Sequence, residues 1–160
     1  MVNFQSEKNK ACLNYIKPKR KAESNFADSI ECDPKATRKS YHELGMYEEV
    51  VKMFWDDITK KLPCDCRWIL YGRPVLVNPK NGIVFGFIFS NVSFAFRLPQ
   101  ELRTDETTKY GHTKQELFRE GSIDIVDILG QDWLLFYAKE PDVVSRTCAI
   151  AYNYTNSLQS

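Results

Sequence analysis

Cys64-Asp65-Cys66 is the closest pair of thiols in this 160-residue chain. Two thiolates supply half of a tetrahedral zinc site, and the other half would have to come from Cys12, Cys32, Cys148, His42 or His112, none at a recognisable spacing. The two-residue gap of known redox and zinc pairs is missing, so the pair reads as part of an ordinary helix-to-strand loop. His42 and His112 are the only imidazoles and hence the natural general bases at neutral pH, yet no nucleophile motif accompanies either. The glycines form neither a dinucleotide fingerprint nor a phosphate loop, and Asp124, Asp127 and Asp132 are too irregularly spaced for a calcium loop. The sequence therefore predicts no catalytic residue, no metal and no cofactor.

Two features remain that could bind something. The run Lys17-Pro18-Lys19-Arg20-Lys21 concentrates positive charge, and residues 1–40 hold nine Lys or Arg against five acids while the rest of the chain holds 13 against 16. Lys17, Lys19, Arg20 and Lys21 are candidate contacts to nucleic acid or to an acidic protein face, within a partner-binding stretch spanning 8–21. The second feature lies at Gly86 and Ala95, small residues expected to sit opposite each other in a hairpin. Flanked by Arg73 and Arg97 and joined by His112, they would form a shallow saddle able to grip a carboxylate or phosphate. The plainer reading is that the saddle makes room for a packed helix.

The elements that must position these residues follow from periodicity. Ser40 and Glu43 match a capping box, and Tyr47, Val50, Val51, Phe54, Trp55, Ile58 and Leu62 recur at three- and four-residue steps until Pro63. That predicts an amphipathic helix. Arg67–Tyr71 and Pro74–Val77 read as short strands, and Asn78-Pro79-Lys80-Asn81-Gly82 as a turn. Ile83 to Phe89 then folds back on Val92 to Leu98. With Ser90-Asn91 as a two-residue turn, Phe89 faces Val92, Phe87 faces Phe94, Phe85 faces Phe96 and Ile83 faces Leu98 on a single core face. Thr113 and Glu116 form a second capping box, predicting a short helix ended by Gly121. Trp133 to Tyr137 reads as a strand, and Pro141 opens a last helix striped by Val144, Thr147, Cys148, Ala151, Tyr154 and Leu158.

This order predicts an α+β fold, an antiparallel meander sheet packed against an N-terminal and a C-terminal helix. Residues 1–39 lack sustained periodicity and are expected to be a largely flexible basic segment in which Leu13, Tyr15, Ile16 and Phe26 can dock a short stretch on the domain, with 40–160 as the single domain. The longest apolar run has seven residues, so no membrane span is expected, and the scattered, odd number of cysteines suits a reducing, cytoplasmic setting. The stretch Tyr71-Gly72-Arg73-Pro74, the glycine-containing hairpin and Gly130-Gln131-Asp132-Trp133 resemble an uncharacterised family of small bacterial α+β domains over about residues 67–154. The layout is also similar to the N-terminal domain of TfoX and to YjbR-like domains. That resemblance implies architecture alone. The expectation for function is a non-enzymatic binding or regulatory domain, with an enzyme or small-ligand carrier built on the saddle as the alternative.

Overall fold

The computed structural model describes residues 4–17, 30–32, 48–90, 92–99, 111–117, 121–137 and 141–159. Among them, six strands form one antiparallel sheet: β1 (Ile30–Cys32), β2 (Arg67–Leu70), β3 (Arg73–Val77), β4 (Val84–Ser90), β5 (Ser93–Arg97) and β8 (Trp133–Tyr137), in that spatial order. The first five make a meander. Between β5 and β8 the chain makes a separate two-stranded ribbon, β6 (Lys114–Leu117) with β7 (Gly121–Asp124). The helices are α1 (Lys10–Ile16), α2 (Glu48–Lys52), α3 (Ile125–Leu129) and α4 (Pro141–Asn156). The α+β meander expected from sequence is the observed architecture, and it carries helices on both faces.

The central hairpin departs from the predicted pairing in a way that decides what each face holds. Gly86 pairs with Phe96, Phe87 with Ala95 and Ile88 with Phe94, one residue out of step with the two-residue-turn register. Ser90 pairs with Ser93 instead of lying in the turn, a register irregularity between Ile88 and Ser90 takes back one residue of that shift, and a second on β4 lets Leu76 face Gly86 while Val77 faces Val84. A one-residue slip turns a side chain to the opposite face. Phe85, Ile88, Phe94 and Phe96 therefore line one face with Leu76, Leu134 and Phe136, beneath α2 and α4. Phe87, Phe89 and Ala95 line the other with Val75, Val77 and Trp133, beneath α1 and α3. The expectation of one aromatic face is corrected to two.

The chain after α2 widens into a π-helical stretch, Met53–Ile58, closed by the Thr59 N–H donating to the Phe54 carbonyl. The wider turn sets Phe54 and Trp55 side by side toward the sheet, where Phe54 stacks on Phe94 at 5.4 Å. Val51, Phe54, Trp55 and Ile58 are buried, as the stripe predicts. The capping box at Ser40 and Glu43, and Tyr47, lie outside the described residues. On α4, Val144, Thr147, Cys148 and Ala151 are buried as predicted, with Thr155 rather than Tyr154 completing the stripe.

Two turns show side chains doing backbone work. Tyr71 and Gly72 both have positive φ, 54° and 80°, and join Leu70 to Arg73 as a two-residue hairpin turn of the type that matches strand twist. In the turn after β3, Asn81 donates to the Thr155 and Leu158 carbonyls, tying the turn to the end of α4. The predicted helix over 113–121 is also corrected. Glu116 pairs with Ser122 and Leu117 with Gly121, whose φ of +93° ends helical geometry, so the segment is a ribbon. Phe118 lies outside the described residues.

Candidate functional site

The N-terminal segment is where the fold holds its largest surprise. Residues 4–17 do not behave as a flexible tail: a 3₁₀ turn (Glu7–Asn9) leads into α1, and Asn9, Cys12, Leu13 and Ile16 fall at i, i+3, i+4 and i+7. Asn9, Cys12 and Ile16 are buried and Leu13 packs against them. The helix ends at Lys17, whose extended ψ of 126° is the conformation required before Pro18. Residues 30–32, placed in the same flexible segment by sequence, form the edge strand β1.

A seven-residue helix is too short to hold itself, so its position must come from what it touches. It lies along β4 and is pinned at both ends where that strand departs from regular pairing. At one end the Asn9 side chain donates to the Gly82 carbonyl at 2.7 Å and accepts from the Val84 N–H at 2.8 Å. Beside it, Arg97 donates through Nε to the Val84 carbonyl at 2.9 Å, through Nη2 to the Lys8 carbonyl at 2.8 Å and through Nη1 to Asp132 at 2.9 Å. Its guanidinium also lies 4.7 Å over the Trp133 ring. At the other end, the Tyr15 hydroxyl donates to the Phe89 carbonyl, and Arg73 Nη1 donates to the carbonyls of Ile88 and Phe89. The Tyr15 ring stacks on Phe89 at 4.6 Å and takes the Arg73 guanidinium at 5.5 Å.

Both arginines singled out from sequence are thus spent inside the fold on backbone carbonyls. The carbonyls they reach are four to five residues apart on β4, roughly 13–17 Å at about 3.3 Å per residue. The saddle does not form. Gly86 and Ala95 belong to opposite faces, and an added Cβ on Gly86 would stand 2.7 Å from Phe96 Cδ1, because the Phe96 ring occupies that space. Ala95 is fully buried under the α1 and α3 layer. His112 is exposed on the outer edge of β8, exchanging backbone hydrogen bonds with Leu135 and resting its ring against Tyr137 at 4.8 Å. Arg73, Arg97 and His112 do not converge.

The carboxylates have separate tasks. Asp124 accepts from the Val126 N–H as the N-cap of α3, Asp132 pairs with Arg97, and Asp127 is exposed. Among the described residues, no group of three or more His, Cys, Asp or Glu is placed to hold a metal ion. None of the five cysteines is in a disulfide. His42, Lys19, Arg20 and Lys21 lie outside the described residues.

What α1 leaves on its outer side is charge. Lys10, Asn14 and Lys17 are exposed at i, i+4 and i+7, Lys8 is exposed just before them, and Glu7 is the one acid described on the same stretch. Lys17 opens the basic run through Lys21. The docking expected of Leu13, Tyr15 and Ile16 is that of α1, Phe26 lies outside the described residues, and the anchor not foreseen from sequence is Asn9, although the 9, 12, 13 and 16 spacing carries that signal.

No family model matches the chain, and no curated protein or solved structure shows significant similarity to it.

Burial beneath α1 also sets a pH dependence. Desolvation pushes the Cys12 thiol from its ordinary 9.0 to about 11, with nearby Arg97 opposing the rise. Raised in the fold, this thiol ionises first in the unfolded chain. The stability it confers is whole below about pH 9 and is lost as pH climbs from there through about 11. Urea unfolding of wild type and Cys12→Ala at pH 8 and pH 11 should show the wild-type advantage shrinking at the higher pH. An unchanged gap would contradict the buried position of Cys12.

Proposed function

We propose that this chain is a non-enzymatic binding domain that presents the basic outer face of α1, continued by Lys17, Lys19, Arg20 and Lys21, to an anionic macromolecule. Nucleic acid is the ligand class this charge suits best, since clustered Lys and Arg gain affinity by releasing condensed counterions from phosphates. The observation that carries the reading is the docking of α1: exposed Lys8, Lys10 and Lys17 stand just before, on and at the end of a helix fixed at both ends to β4, so Lys17, the first residue of the basic run, has a defined place on the fold. The segregation of nine basic residues against five acids into residues 1–40 supports it. So does the use of Arg73 and Arg97 as internal bonds, which removes the two cations of the competing saddle from ligand contact. A regulatory role, a cytoplasmic location and kinship with small bacterial domains of TfoX-like or YjbR-like layout belong to the same reading. Among the described residues, no helix is long and apolar enough to cross a membrane.

Removing the whole N-terminal segment would be the wrong test, because it would strip buried Asn9, Cys12 and Ile16 from the core. The suitable variant changes Lys10, Lys17, Lys19, Arg20 and Lys21 to Gln, positions exposed on α1 or in the run beyond it. Its binding to a mixed-sequence DNA or RNA duplex, titrated across salt concentrations, should be weaker than that of wild type. The slope of log affinity against log salt should shrink by roughly 0.9 for each lost phosphate contact on B-form DNA. Equal affinity and slope for the two proteins would overturn the proposal.

A further inference from the structure

Strand pairing brings Cys32 to the turn that carries Cys64 and Cys66, at one corner of the sheet. Cys32, the last residue of β1, pairs with Trp68 in the ladder, and its Sγ lies 3.4 Å from the Arg67 carbonyl and 4.0 Å from the Asp65 carbonyl. That places the sulfur beside the 3₁₀ turn Cys64–Cys66. Cys66 is fully buried in the core beneath α2 and α4, whereas Cys32 and Cys64 are exposed. Sequence spacing could not show this cluster, because 31 residues separate Cys32 from Cys64 and only strand pairing closes the gap.

We propose that Cys32 and Cys64 form a peroxide-responsive dithiol that closes to an intramolecular disulfide, tying the edge strand β1 to the turn before β2. In the first step one exposed thiolate attacks hydrogen peroxide: an S–O bond forms, the O–O bond breaks, and the departing hydroxide takes up the thiol proton as water. In the second, the other sulfur attacks the sulfenic acid: an S–S bond forms, the S–O bond breaks, and the released hydroxide leaves as water with the second thiol proton. One peroxide is reduced and two thiols are oxidised. Cys66 takes no part, because burial and its acidic and thiol neighbours push it up to about 12, leaving it protonated.

A disulfide needs Cα atoms about 4.4–6.8 Å apart. Among the described residues β1 is a three-residue edge strand with β2 as its single neighbour, so closing the bridge requires moving a short strand held on one side. In a reduced sample all five cysteines titrate after unfolding; after mild peroxide treatment of the folded, full-length protein, three should remain. The product should be monomeric, lighter by two hydrogens, and give a Cys32–Cys64 cross-linked peptide on proteolysis without reductant. Cys32→Ser and Cys64→Ser should each abolish the cross-link while leaving the near-ultraviolet circular dichroism unchanged. Oxidation that yields sulfinic acid or a disulfide-linked dimer, or that still removes two thiols from the double Ser variant, would overturn the proposal.

Discussion

Gly86→Val is expected to lower the stability of the fold by about 3 kcal/mol or more, at the upper end of what overpacking a filled core costs. The first added carbon would lie 2.7 and 2.8 Å from two atoms of the Phe96 ring and 3.2 Å from Leu76 Cδ1. Neither neighbour has room to give. Phe96 is fully buried against Phe136, and Leu76 belongs to the same cluster. For a chain of this length the loss corresponds to a fall in Tm of roughly 6–12 °C. The substitution separates two pictures of the hairpin, because a valine on an open saddle opposite Ala95 would be tolerated and would enlarge the strand's apolar surface. Thermal unfolding followed by circular dichroism distinguishes them, and a Tm within about 2 °C of wild type would contradict the packing of Phe96 over Gly86.

The second large effect lies at Asn9. Alanine there removes both partners of a buried backbone pair, the Gly82 carbonyl and the Val84 N–H, and each stranded group costs about 1–3 kcal/mol. Asn9→Ala is therefore expected to destabilise by roughly 2–5 kcal/mol in urea titration. Asn14→Ala is the matched control, an exposed position on the same helix, and should change stability by no more than about 0.5 kcal/mol. Similar small losses for both variants would mean that α1 adds little to the domain. The size of the Asn9 effect follows from where β4 breaks its ladder. Regular strand pairing satisfies backbone groups by itself, whereas the irregular ends of β4 leave groups that Asn9, Arg97, Tyr15 and Arg73 must reach.

Those same irregularities explain how far the sequence could be read. Elements with long, consistent periodicity were legible: the Val51, Phe54, Trp55, Ile58 stripe, strand β8 and the Val144, Cys148, Ala151 face of α4 are found buried where their spacing puts them. The hairpin was legible as a pair of strands and not in its register, since each bulge inserts one residue and a sequence apolar on both faces offers no polar alternation to reveal the slip. The Thr113 and Glu116 pattern fits a capping box locally, yet pairing with Gly121–Asp124 makes the segment a strand. The Tyr71-Gly72 turn was hidden because a tyrosine seldom adopts positive φ.

The candidate site was legible only in its charge. Lys17 to Lys21 stands out in the sequence, but the helix before it contains one turn of 3₁₀ and seven α residues, with no propensity signal strong enough to mark it. Its burial depends on residues 73 to 75 positions away in the chain, and Arg97 reaches the Lys8 carbonyl across 89. The two arginines read as exposed ligand contacts because their partners are backbone carbonyls, which carry no mark in a sequence. The docked helix also changes what the basic run can do. A tail that moved freely would bring its charges to a partner with no fixed geometry, whereas α1 sets Lys10 and Lys17 on one side of the sheet.

The most direct test of this docking is amide hydrogen exchange at Val84 in the native protein. Its N–H donates to the Asn9 side chain rather than to a neighbouring strand, so its protection reports whether the N-terminal helix is in place. The fold described here predicts slow exchange at Val84, comparable with the core amides of β4 and β5, and fast exchange there in Asn9→Ala even under conditions where the rest of β4 stays protected. Rapid exchange at Val84 in the wild-type protein, alongside slow exchange at Phe87 and Phe94, would show that residues 4–17 leave the sheet and would contradict the account.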